Sequence, residues 1–169
     1  MRPVTEAEIR GSFVNASKGD AKRADLPDLS AVAWDNLDYL GWVDAKREQL
    51  AYTTFVVDTG DGDEVRTMLL RRAPAPRERR KLMCSWCQDI TATDNVTLFV
   101  APRAGASGRM GNTVGTSICT DFSCSKNSRR VPTSMELQDQ ADRAWWRQQR
   151  VDGLRERSRK FLDVVMETA

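Results

Sequence analysis

The sequence predicts an α+β fold in which N-terminal helices pack on an antiparallel sheet, four cysteines gather beside that sheet, and a long C-terminal helix closes the structure. Three observations carry this. Apolar residues recur at helical spacing before residue 45, in β-rich runs after it, and at helical spacing again beyond residue 134. A Gly/Asp-rich turn separates two of the β-rich runs. Two close cysteine pairs fall in the same middle portion of the chain. With 169 residues the chain has single-domain size and buries roughly 70% of its unfolded surface, so it folds without disulfides. It reads as one domain over 1–169: helices in 1–45, sheet and metal site in 46–133, and the last helix in 134–169.

Thr5-Glu6-Ala7-Glu8 has the form of a capping box, and Ile9, Phe13 and Val14 continue at helical spacing toward a stop at Lys18-Gly19. A second helix is predicted from about Pro27 to Tyr39, with Leu29, Val32, Ala33, Leu37 and Leu40 near one face and Gly41 ending it. Leu50 to Val57 reads as a strand, Asp58 to Asp63 as a turn and Glu64 to Arg71 as the returning strand. The acidic turn lacks the helices and downstream Glu of an EF-hand, so it is not read as a calcium loop. Ala73-Pro74-Ala75-Pro76 breaks regular structure before the basic run Arg77 to Lys81. Val96 to Val100 and Thr113 to Ile118 are short strands around a glycine-rich loop, Arg103 to Gly111. From about Ser134 to Glu167 the pattern is helical, with Trp145 predicted inward and Trp146 outward.

Histidine is absent, which removes Ser-His-Asp triads, Cys-His dyads, imidazole metal ligands and imidazole pH switches. The longest apolar runs are a few residues, where a bilayer span needs about 20, and the polar stretch Met1 to Arg10 does not resemble a signal peptide. A cytoplasmic protein with no membrane partner is expected. The net charge of +2 hides a dipole. Residues 1–65 carry 7 basic and 13 acidic side chains, residues 66–133 carry 12 and 4, and residues 134–169 carry 7 of each. The middle third is the anion-facing candidate, for RNA or for an acidic protein surface.

Cys84 and Cys87 form a C-x2-C pair, and Cys119 and Cys124 a C-x4-C pair. Both spacings let two sulfurs converge on one ion at about 2.3 Å. The first pair suits a knuckle and the second a strand end entering a helix, together resembling a treble clef. One structural Zn²⁺ held by all four is the expectation. A disulfide framework suits an oxidising compartment instead, and a thioredoxin-like redox pair wants its C-x-x-C at a helix N-terminus. Four thiolates close a tetrahedral shell, so such a site organises structure without catalysing, and neither an enzyme nor a small-molecule substrate is expected. The loop Gly105 to Gly111 lacks the Gly-Lys-Ser/Thr of a phosphate-binding fingerprint. Trp86, inside the knuckle, either anchors an interface or covers the metal site.

Glu8-Ile9-Arg10-Gly11-Ser12-Phe13-Val14-Asn15, Ser17-Lys18-Gly19 and Trp34-Asp35-Asn36-Leu37-Asp38-Tyr39-Leu40-Gly41-Trp42 resemble the opening of the FBP-type domain. The resemblance continues through Met83-Cys84 to Cys87, Gly111-Asn112-Thr113-Val114-Gly115, Ile118-Cys119-Thr120-Asp121-Phe122 and Ser123-Cys124-Ser125. This is the treble-clef zinc domain of elongation-factor-G-binding proteins, which include the FusB-type fusidic acid resistance proteins. The resemblance implies the α+β zinc fold, the four cysteines as ligands, and binding of elongation factor G with promotion of its release from the ribosome. It also implies a partner surface near the zinc site, where Trp86, Ser117 and Lys126 fall. The resistance proteins carry a separate N-terminal helical bundle, whereas this sequence starts directly with the zinc domain, and Ser117 stands where a larger residue is expected. The alternative is direct binding of ribosomal RNA, with Arg103, Arg109, Arg129 and Arg130 on phosphates.

Overall fold

A computed structural model describes residues 1–74 and 81–167. The basic run at 77–81 therefore lies mostly outside the described residues. The chain runs α1 (Glu6–Gly11), α2 (Lys18–Arg23), β1 (Leu40–Val43), β2 (Leu50–Asp58), β3 (Asp63–Arg72), β4 (Val96–Pro102), α3 (Gly105–Arg109), β5 (Thr113–Cys119), α4 (Cys124–Ser128) and α5 (Arg143–Met166). The strands form one antiparallel sheet in the order β1-β2-β3-β4-β5.

The sheet buries both faces. On one, Ala51, Phe55 and Val57 of β2 and Met68 and Leu70 of β3 join Phe99, Ile118, the four cysteines and the apolar stripe of α5. On the other, Tyr52 and Leu69 pack with Val4, Ile9, Leu40 and Trp42 under the N-terminal layer. Period-two alternation sorts each strand's residues between these two cores, which is why β2 and β3 read as nearly continuous apolar runs. Direct β3–β4 pairing is short, at Arg71–Val100 and Arg72–Phe99. The gap is filled by the segment after α1: Val14 N–H donates to Thr67 O at 2.9 Å, and Asn15 bonds Leu69 N–H and O and Pro102 O at 2.8–3.0 Å.

The predicted capping box at Thr5 and Glu8 forms. Several expectations are corrected. Lys18-Gly19 does not stop a helix but starts α2, because Ser17 caps it by accepting from Asp20 N–H. The helix predicted over 27–39 is replaced by 3₁₀ turns at Leu29–Ala31 and Trp34–Asn36, followed by β1. Asp28 takes the Ser30 N–H and hydroxyl, a local bond that competes with helix propagation. Gly41, in β1, is required by close approach: a Cβ there would lie 2.5 Å from the Phe122 ring. The loop 103–111 contains the short helix α3, and α5 begins at Arg143 rather than near Ser134. The inward tryptophan is Trp146, 9% exposed, whereas Trp145 is 62% exposed. Trp145 lies nine residues, or two and a half turns, before buried Leu154, and so faces the opposite way.

Candidate metal centre

Cys84 and Cys87 lie on a tight knuckle. Gln88 N–H closes it on Cys84 O at 2.9 Å, Gln88 adopts φ +51°, and Cys87 N–H donates to Cys84 Sγ at 3.4 Å. Ser85 N–H donates to Ser117 O at 2.7 Å and hooks the knuckle to the edge of β5. Cys119 ends β5, and Cys124 starts α4 after a turn through Phe122 at φ +57°. The sequence therefore places its second pair at a strand end running into a helix, as the spacing predicts.

All four cysteines are buried, and their sulfurs lie within 4.8 Å of one another. Cys84 Sγ and Cys124 Sγ are 3.6 Å apart, and Cys87 Sγ and Cys119 Sγ 3.7 Å. None is in a disulfide. A tetrahedron with metal–sulfur bonds of about 2.3 Å has edges of about 3.8 Å, so the donor set fits one zinc ion. Thiols of Cys119 and Cys124 donating to Cys84 pull its pKa far below the ordinary thiol range, while the sulfurs of Cys119 and Cys84 push Cys124 well above it. Ionising all four sulfurs at these distances would require a divalent cation between them. When bound, zinc cross-links knuckle, strand and helix, and with four sulfur ligands it keeps no open position.

Groups that sequence reasoning missed support the ligands. Asn127 Nδ2 donates to Cys119 Sγ at 3.4 Å, from one turn inside α4. Arg157 Nε donates to Trp86 O at 2.7 Å and Arg150 Nη2 to Cys87 O at 3.1 Å, so α5 holds the knuckle by its carbonyls with two cations beside the anionic sulfurs. The Tyr39 hydroxyl is buried without a nitrogen or oxygen partner, and burial, then the Cys124 sulfur, push its pKa well above the usual range. Only helical spacing from Cys124 to Asn127 carried a sequence signal for any of these.

Two buried carboxylates tie the centre to the rest of the fold. Asp38 accepts from Arg129 Nη1 and Nη2 at 2.5 and 3.0 Å and from Arg155 Nε at 2.8 Å. Burial raises its pKa, but the two arginines outweigh burial and hold it below the usual carboxylate range. Asp89, just past the knuckle, pairs with Arg130 and with Arg150 at 3.2 Å, and Trp146 lies under both guanidinium groups at 5.5 and 4.9 Å. Arg130 also grips Glu136, whose pKa falls to about 2 chiefly through that bond.

The expected partner residues separate accordingly. Trp86 does not point outward: it is 1% exposed, packed against Tyr39, Phe55 and Phe161 at centroid distances of 5.1–6.1 Å. Arg129 and Arg130 are committed to Asp38 and to Asp89 and Glu136, so they are not free phosphate contacts. Arg103 donates to Val164 O at 2.9 Å and caps the carbonyl end of α5. Lys126 and Arg109 are exposed, and Ser117 is half-buried beside the knuckle.

No helix among the described residues is long and apolar enough to cross a membrane. No curated protein and no solved structure matches the chain. The family described as FBP C-terminal treble-clef zinc-finger matches residues 8–165. With its four buried cysteines, antiparallel sheet and long C-terminal helix, the chain belongs to the FBP C-terminal treble-clef zinc-finger family.

Proposed function

We propose that this chain is a non-catalytic, translation-associated protein that binds elongation factor G on or near the ribosome and promotes its release. Family membership across residues 8–165 carries the reading. The closed, buried thiolate site agrees with it, because such a centre supplies rigidity rather than reactivity. A rigid knuckle, strand edge and helix start dock without a large ordering cost. The contact residues in this proposal are exposed Lys126 with Ser117, while Trp86 supports the surface from beneath. Direct binding of ribosomal RNA has less support, since Arg103, Arg129 and Arg130 are engaged within the fold.

Calorimetric titration of the zinc-loaded protein with purified elongation factor G, at two salt concentrations, tests the reading. One-to-one binding at micromolar or tighter affinity is expected. Absence of binding by folded, zinc-loaded protein overturns it.

A further inference from the structure

The outer edge of β5 is open. Thr120 N–H bonds Asn95 O, and Arg103 N–H bonds Asn112 O, so the antiparallel alternation makes 114, 116 and 118 the residues that bond β4. Thr113, Gly115 and Ser117 then direct their N–H and C=O groups away from the sheet. Ser117 O is taken by the knuckle, through Ser85 N–H. The backbone groups of Gly115 have no partner among the described residues. Beside this edge runs an open trough of about 520 Å³, walled by Ser85 and Trp86 of the knuckle on one side and by Arg157, Lys160, Phe161 and Val164 of α5 on the other. Leu98, 43% exposed, and Val114 supply apolar surface on the two faces of the sheet.

The trough is lined by two cations, Lys160, which is exposed, and Arg157, which also faces the cysteine sulfurs. Neither Arg157 nor Lys160 pairs with a carboxylate among the described residues. Arg157 is half-buried: its Nε donates to Trp86 O, and its two Nη atoms lie over Gly153 without a carboxylate partner among the described residues. An unpaired strand edge is a template for another strand, and natural proteins ordinarily cover or charge such edges.

We propose that the β5 edge and the trough beside α5 bind an extended, acidic–apolar peptide segment of a partner protein, which adds as a sixth strand. Its backbone bonds Gly115. Alternate side chains reach the Leu98 face and the Phe161 and Val164 face, and a carboxylate sits on Arg157 and Lys160. The apolar lining and the presence of only two cations fit a peptide better than RNA. The proposal stands whether or not the partner is elongation factor G.

A phage-displayed library of random short peptides, panned on zinc-loaded protein, supplies the probe, and fluorescence anisotropy with the enriched peptide measures affinity. Enriched sequences should alternate apolar residues with Asp or Glu. Gly115→Pro removes the outward N–H but also places a Cβ 3.2 Å from Leu98 Cδ1, so Gly115→Ala, which adds the same contact and keeps the N–H, is its control; only the proline should weaken the peptide at least about tenfold, with zinc content retained in both. Lys160→Ala, which leaves the Arg157–Trp86 O bond in place, should weaken acidic peptides but not their Asn/Gln counterparts. Backbone N-methylation of the peptide at alternate residues provides the same test without altering the protein. No enrichment, enrichment of basic peptides, or affinity indifferent to N-methylation overturns the proposal. So does displacement of the peptide by a single-stranded oligonucleotide that binds more tightly. Failure to bind elongation factor G in calorimetry, with peptide binding retained, refutes the function proposed above and not this one.

Discussion

Replacing Asp38 with alanine cuts the joint between the N-terminal layer, α4 and α5. The carboxylate has no exposed side-chain surface and accepts three bonds, two from Arg129 and one from Arg155. Its removal leaves the Arg129 guanidinium, 26% exposed, without an anion. Breaking a buried pair in this way costs about 3–5 kcal/mol. The Arg155 arm is 56% exposed and accounts for under about 1 kcal/mol of that. Domains of this size are stable by about 5–15 kcal/mol, so Asp38→Ala should lose a large fraction of the total. Urea denaturation of zinc-loaded protein reads this out. With an m value of about 2 kcal/mol/M, the midpoint should fall by about 2 M. A double-mutant cycle should show stronger coupling to Arg129→Ala than to Arg155→Ala. A loss below about 1 kcal/mol, or equal coupling to the two arginines, would refute the reasoning.

Trp86→Ala should open a cavity between Tyr39, Phe55 and Phe161 and cost about 3–5 kcal/mol of stability, seen as a lowered thermal midpoint; unchanged stability would contradict its buried position. Gly41→Ala should also destabilise, since its methyl meets the Phe122 ring at 2.5 Å in a turn that carries two of the cysteines, and zinc content measured after chelator challenge should fall faster than in the parent. Below the free-thiol range of about 8.5, protonation of the zinc thiolates lowers stability as pH falls, and the buried carboxylates add a separate acid limb between about pH 4.5 and 2. Glu136, by its bond to Arg130, and Asp44, where Arg47 and Tyr52 outweigh burial, both titrate near 2 in the folded state. A carboxylate with a lowered folded pKa contributes stability that is lost on acidification. In a pH series of urea midpoints, Glu136→Gln should flatten the acid limb, and an unchanged limb would remove Glu136 from the account.

The strands and the metal ligands were legible because their signals are local. β-branched runs around a Gly/Asp turn set β2 and β3, and cysteine spacing set the donor set. The region 27–43 was misread because Leu29, Val32 and Leu37, in and just after the 3₁₀ turns, pack partly buried in the N-terminal layer with an apolar spacing that mimics a helix. The orientation of Trp145 and Trp146 depends on where α5 starts, and no capping side chain marks that start. The roles of Arg103, Arg129 and Arg130 were not readable, since each depends on a partner far away in sequence. Asp38 is 91 residues from Arg129. A basic stretch looks like a surface for anions until the fold shows which of its charges are neutralised internally.

X-ray absorption at the zinc edge tests the central claim most directly, on purified protein with metal content measured in the same sample. One zinc per chain with four sulfurs at about 2.3 Å is predicted, together with loss of the folded state in Cys84→Ser or Cys124→Ser. Zinc absent from a folded protein, or a shell completed by nitrogen or oxygen, would contradict the account.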